Sequence, residues 1–350
     1  MSTLTHDPAA RTAPAGNSQD ARGSRQTGPR PRLSGTAWLV WRQHRAAFWT
    51  IIAGTVVGVI VMVVLRGQMT DYLSTLEPTQ KKPGSAPPEF EKYGDVMTDI
   101  GGYLSYFPIL AGVLLGAPFV AGDLESGTAK LVTSQSVSRL RWLSMKLAMP
   151  AALVALSTGV LGAVFHWWWS PVKGLVTQAD WSSSSIFDVT GMMPVAYALL
   201  TFTLGVAVGL LLRRTLVSMV VTLGIVVAIA FVWGELRSSL GHIMTVSTHQ
   251  GVGPGARQPE LPDLAIQQGQ GTYFLTGSGD RLDWMTCVDK MDNDKAHTAC
   301  LESKNVVGWS MDYLPFDQMA TMQWLGTAIM LTTTATIVTF IVIWGRKRLL

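Results

Sequence analysis

The chain has 350 residues, 48% of them apolar and only 14% charged, with a mean hydropathy of +0.28. A soluble chain carries about 25% charged residues, so the deficit points to long segments that exclude charge. The net charge of +4 is small and spread out, and no basic face interleaves with aromatics, which excludes nucleic-acid binding. The two cysteines, Cys287 and Cys300, are too few for a thiolate metal site.

Residues 1–33 are rich in Pro, Gly, Ser, Ala and Arg. They bury too little apolar surface to offset ordering entropy, which predicts a disordered cytoplasmic tail. No signal peptide is read ahead of the first apolar run, so the first span is expected to be retained. Residues 34–45 predict an interfacial amphipathic helix. Ser34 can cap it, Ala37, Trp38 and Trp41 share a face, and Arg42 and Arg45 lie beside them. The alternative is that they are simply the first turns of the first span.

Apolar stretches follow at 46–65, 103–121, 147–165, 192–212, 216–233 and 321–344. A helix needs about 20 residues to cross the hydrocarbon core, so each predicts a transmembrane helix. Pro108 and Pro118 predict kinks in the second. One side of this layout holds Arg32, Arg42, Arg45, Lys130, Arg139, Arg141, Lys146, Arg213, Arg214 and the basic run Arg346 to Arg348. The short loops opposite hold Arg66, Lys81, Lys82, Lys92 and Lys173. The richer side is cytoplasmic by the positive-inside rule, which places both termini inside.

The expected fold is an all-α integral membrane protein. It has six transmembrane helices, the interfacial helix, and a large extracytoplasmic loop before the last helix. By region, 46–233 form a five-helix transmembrane unit with a cytoplasmic segment at 122–142. Residues 234–320 form the extracytoplasmic loop, and 321–350 the sixth helix and a basic tail. Cys287 and Cys300 fall in that loop, where a disulfide can persist; two free thiols are the alternative. Three GxxxG pairs, Gly54–Gly58, Gly112–Gly116 and Gly205–Gly209, permit close helix approach, within the chain or between subunits.

As delimited, none of the six stretches carries Asp, Glu, Lys, Arg or His. Ion-coupled transporters and intramembrane enzymes need ionisable groups or metal ligands at membrane depth, so any uphill work draws on an outside source. The chain has no GxxxxGK[ST] phosphate loop and is not expected to be an ATPase or to hold a cofactor. The stretch from Gly251 to Gly255 reads as a linker. Trp167, Trp168 and Trp169 read as an interfacial aromatic belt, with a lipid-like substrate path as the other reading. His242, His249 and His297 lack a tight metal-ligand spacing. Trp309, Tyr313 and Phe316 suit either a self-packed loop core or a lid over a pore.

The segment at 122–142 holds Asp123 and Glu125 before a short stretch with helix potential. Ser136, Ser138, Arg139 and Arg141 then lead into the third span. It is either a docking surface for a soluble partner or an ordinary solvated loop. Its residues Glu125, Gly127, Thr128, Gln135-Ser136-Val137-Ser138-Arg139 and Arg141-Trp142 resemble ATP-binding-cassette transporter permeases of the type-2 exporter class, particularly those common in actinobacteria. The stretches Pro194-Val195-Ala196-Tyr197-Ala198, Leu204-Gly205-Val206-Ala207 and Leu212-Arg213-Arg214-Thr215 are similar too, as are Tyr313 and Pro315. Gly122 stands where similar sequences often carry a basic residue, and Asp123 where Glu is usual.

The resemblance implies two permease subunits, each docked to a separate ATPase subunit that binds ATP and Mg. Asp123, Glu125, Gly127, Thr128, Gln135, Ser136, Arg139 and Arg141 would then carry ATPase motion into the spans and do no chemistry. The same residues could instead only cap a helix and anchor a span. The resemblance implies export, and the apolar, uncharged span interiors lean toward a hydrophobic or amphipathic substrate. The competing reading is a non-transporting membrane anchor or sensor whose loop binds a ligand or partner.

Overall fold

A computed structural model of the chain describes residues 36–82, 85–127, 139–252 and 256–348. Residues 1–35, with the tail and the Ser34 cap, and all of 128–138 lie outside the described residues. Eight main helices occur among them: α1 (Thr36–Thr75), α2 (Pro88–Leu110), α3 (Ala117–Glu125), α4 (Arg139–Trp169), α5 (Met193–Leu212), α6 (Thr215–Ser239), α7 (Asp294–Ser303) and α8 (Gln318–Arg348). Among the described residues, six helical segments are long and apolar enough to cross a membrane: Val40–Thr75, Pro88–Glu125, Lys146–Val172, Met193–Leu212, Thr215–Ser239 and Gln318–Trp344.

The bundle is organised around α5. Within its most apolar window 72% of residues are buried, against 17% for α1 and for α6. A helix apolar all round belongs at the centre, and α5 packs on α3, α4, α6 and α8. The outer helices turn apolar side chains away from the protein, as with Val57 and Ile60 on α1 and Leu216 and Phe231 on α6. Acyl chains are the solvent such faces require.

The second span is continuous but not uniform. A π-helical turn, Ala111–Gly116, joins α2 to α3, and the Ala117 N–H donates five residues back to Gly112 O. Pro118 has no N–H to offer the carbonyl of Leu114, so the ladder re-registers here. The span packs on α5 through its backbone: the Thr201 hydroxyl donates to Pro108 O at 2.5 Å. The close approach rests on glycines. A Cβ on Gly112 or Gly116 would strike the Thr201 or Phe202 carbonyl, and one on Gly205 or Gly209 would strike the backbone of Gly112 or Ala117. Two of the three GxxxG pairs therefore pack against each other inside the chain. Gly58 meets Leu161, while Gly54 faces open space.

α1 is kinked at His44, which has non-helical dihedrals (φ −113°, ψ 15°). The kink falls within the 34–45 segment, one residue before its end. Val40 and Phe48, on either side of it, are buried with Phe119 of α3.

The all-α expectation fails at 244–314. Four strands, β1 (Met244–Thr248), β2 (Ile266–Thr276), β3 (Arg281–Asp283) and β4 (Val306–Leu314), form one antiparallel sheet in the order β1-β4-β2-β3. The physical reason is residue type: β4 is rich in β-branched and aromatic side chains with one face buried. Gly308 lets β1 approach, since a Cβ there would collide with the Thr248 carbonyl. Phe274, Leu301, Val306 and Cys287 form a small core in which Trp309 packs on Phe274 at a centroid distance of 4.6 Å. Cys287 and Cys300 are joined by a disulfide that closes α7 onto this core.

The sheet domain is fastened to the bundle. The Trp181 indole donates to Leu264 O at 2.8 Å, and Phe316 packs on Trp169 and Trp181. Of the Trp167–169 run, only Trp167 faces outward. Trp168 and Trp169 are buried, the latter donating to Ala179 O at 3.0 Å.

Candidate functional site

At the end of the bundle away from the sheet, α3 finishes on two carboxylates with opposite settings. Asp123 is buried and ion-paired with Lys146, at the start of the third span; Lys146 is 1% exposed. The Gln43 amide, on the short arm before the α1 kink, donates to the same carboxylate at 2.9 Å. Lys146 Nζ also lies 5.3 Å from the Phe119 ring centroid, and His44 stacks on the other side of the cluster at 4.0 Å from that ring. Three spans thus meet on one buried charge. A buried ion needs both a counter-charge and hydrogen bonds, and Lys146 and Gln43 supply them.

Glu125 sits one half-turn further on and is exposed. Its carboxylate accepts the Thr215 backbone N–H at 2.9 Å and the Thr215 hydroxyl at 2.6 Å. Thr215 is the first residue of α6, and its N–H is one of the donors a helix start leaves open. A carboxylate there also faces the positive end of the helix dipole. The turn before it is tight: Arg213 is left-handed (φ 54°) and Arg214 extended. Glu125 therefore bolts the end of the second span to the α5–α6 corner.

Past Glu125 the helix ends in an ordinary way. Ser126 donates back to Gly122 O at 3.0 Å through its N–H, and Gly127 takes a positive φ of 71°, a glycine stop. Of the residues singled out in the sequence, Asp123, Glu125 and Gly127 are thus placed together. Arg139 and Arg141 lie in the first turns of α4. Thr128, Gln135 and Ser136 lie outside the described residues.

Three partners were not foreseen from sequence. Gln43 gave no signal. Lys146 counted only as a positive-inside residue, although a lysine at the mouth of an apolar run invites a search for a carboxylate. Thr215 closed one of the quoted stretches without an assigned contact.

A second polar cluster occupies the sheet end. Asp188, before α5, pairs with Arg237 of α6 at 3.1 Å and accepts from the Trp233 indole at 2.9 Å. Burial pushes its carboxyl above the ordinary value, and Arg237 and Trp233 only partly oppose this. The longer helices thus bring charge to the span ends at Lys146 and Arg237, while the central stretches carry none.

Among the described residues, six apolar helical spans with α5 the most buried of them, and charge gathered at the two ends, define a multi-pass membrane protein. The chain belongs to the ABC-2 membrane transporter related family, whose model matches residues 52–237, more than half of its length. That makes it a permease component of an ATP-binding-cassette transporter. The match ends before the sheet domain and α8. No curated protein and no solved structure gives a significant match.

Proposed function

We propose that the chain is the membrane-spanning subunit of an ATP-driven exporter of the actinobacterial-like type-2 class. It pairs with a second permease subunit, identical or not, and each docks a separate ATPase that binds ATP and Mg. The chain itself hydrolyses nothing. Both termini and the 122–142 segment lie on the cytoplasmic side of the plasma membrane, with residues 34–45 along its inner surface. The sheet domain, within 234–320, lies outside. The cargo is hydrophobic or amphipathic.

The observation that carries this reading is the bond from Glu125 to Thr215. It joins the base of the 122–142 segment to the α5–α6 corner, so force applied to the segment reaches two spans at once. Asp123, held by Lys146 and Gln43, adds the third span and the α1 arm. Gly127, Thr128, Gln135, Ser136, Arg139 and Arg141 complete the docking surface, and their task is mechanical.

The test is co-purification with the ATPase and ATP-dependent export in proteoliposomes. Glu125→Lys and Arg139→Glu should each release the ATPase while the chain still folds and inserts. Retained binding and transport in both would remove the coupling assignment. A chain that captures no ATPase at all would leave the competing anchor or sensor, for which the folded sheet domain is the favourable feature. Sidedness is read by alkylating Cys287 and Cys300 after reduction in intact cells; labelling only after permeabilisation would invert the topology.

A further inference from the structure

At the sheet end of the bundle, α8 packs along α5 and barely touches α4. The gap is a cavity of about 280 Å³ between the end of α4, the turn before α5 and the start of α8. Trp169 and Phe316 wall it, with ring centroids 6.4 Å apart. Such a cavity is near the lower end of the size range for ligand pockets of about 300–1,000 Å³, which are mostly apolar with a few placed polar groups.

The polar groups here are placed. The Gln323 amide nitrogen donates to Phe187 O at 2.9 Å, Thr190 Oγ1 at 2.9 Å and Thr190 O at 3.3 Å. Three acceptors fix the amide, and its oxygen is left toward Gly191 at the cavity wall. Gly191 is left-handed (φ 65°), and a Cβ there would press on that oxygen, so glycine keeps the acceptor open. Lys173 stands at the rim with Nζ 4.9 Å from the Phe316 ring centroid, and it makes no ion pair with any described residue. Asp317 lines the same rim.

We propose that this groove binds a phosphate-bearing amphiphile whose headgroup also carries a hydrogen-bond donor. Lys173 takes the phosphate, and the Gln323 oxygen and Asp317 take the donor. The apolar chain lies along the wall that Trp169 and Phe316 form together. A purely cationic amphiphile would meet Lys173, and a headgroup without a donor would leave the Gln323 oxygen unpaired. This deepens the amphipathic-cargo reading and rests on it: the groove is where such a cargo leaves or where a lipid of that class steadies the two spans.

The experiment is binding of lysophosphatidylethanolamine to the purified full-length chain in a maltoside detergent, followed by microscale thermophoresis. Chain-matched alkyltrimethylammonium and inorganic phosphate are the comparison arms. The lysophospholipid should bind above the detergent background and lose about tenfold in affinity in Lys173→Gln, the scale of one charged hydrogen bond. Lys173→Arg should retain it. Equal binding by Lys173→Gln, or a preference for the cationic amphiphile, overturns the proposal. Inorganic phosphate competing as well as the lysophospholipid would show a free-anion site and overturns it too. The binding assay holds no ATPase and so reads the groove alone: intact binding together with no ATP-driven export in proteoliposomes would sink the exporter reading and not the groove.

Discussion

Glu125 reaches from the last turn of α3 to both the N–H and the hydroxyl of Thr215, 90 residues later, and so makes one rigid corner of two spans. The bond is exposed, so its value lies in direction and not in bulk stability. Thr215→Val removes the hydroxyl donor and keeps the volume. We expect ATPase docking to persist and transport per ATP to fall about fivefold, within the range seen when residues along a coupling route are changed. Unchanged transport per ATP would show that the corner moves without this bond.

The Asp123–Lys146 pair is buried, and its prediction concerns folding. Lys146→Met removes the cation facing a buried carboxylate and should destabilise the detergent-solubilised chain by about 3–5 kcal/mol. The double variant Lys146→Met with Asp123→Asn should recover most of that loss, because it removes the uncompensated charge. Thermal unfolding of the unaltered chain and of the two variants reads both effects. A double variant no better than the single would mean that the pair acts through packing.

Asp188 gives a pH dependence. Its native carboxyl is raised above the ordinary value of 3.8 by burial, so the native state binds the proton more tightly than the unfolded chain. The associated stability is fully present below pH 3.8 and is lost as pH rises through the higher native value. Asp188→Asn should flatten that part of the stability profile. An unchanged slope from pH 3.8 upward would assign the dependence to another group.

The glycines make a paired prediction. Gly205→Ala drives a methyl into the Gly112 carbonyl, whereas Gly54→Ala meets nothing within 4 Å. The first should cost about 1–3 kcal/mol by overpacking. The second should be neutral or slightly stabilising, since Ala is the better helix former. Equal effects on melting temperature would contradict the packing of the second span on α5.

The disulfide should matter locally. Replacing Cys287 and Cys300 by Ser opens a loop with a sequence separation of 13 and should cost the sheet domain about 3 kcal/mol. Limited proteolysis should then cut near α7 while the spans stay intact. Cleavage within the spans would mean that the two parts unfold together.

The spans were legible because a bilayer demands a composition that one chain displays on its own. The sheet was not. Gly269 and Gly271, both with positive φ, interrupt the alternation of β2 at a bulge, and β1 and β3 are too short to announce themselves. The site was half legible. Asp123 and Glu125 stood out as acids beside a basic segment, but Gln43, Lys146 and Thr215 reach them only through tertiary packing. Asp188 and Arg237 are separated by 49 positions, and nothing local in either neighbourhood names the other.

The Gln318 side chain clasps one residue at both ends of its backbone: it accepts the His242 N–H at 2.7 Å and donates to the His242 carbonyl at 3.0 Å. His242 follows α6 and Gln318 opens α8, so the polypeptide enters and leaves the sheet domain through a single collar. A lengthwise shift of either span is therefore shared with the other at the collar before it reaches the strands. With the Trp181–Leu264 bond as a second fastening, the sheet should ride with the bundle as one piece, and a label on Arg281 in the edge strand β3 would report whether it does.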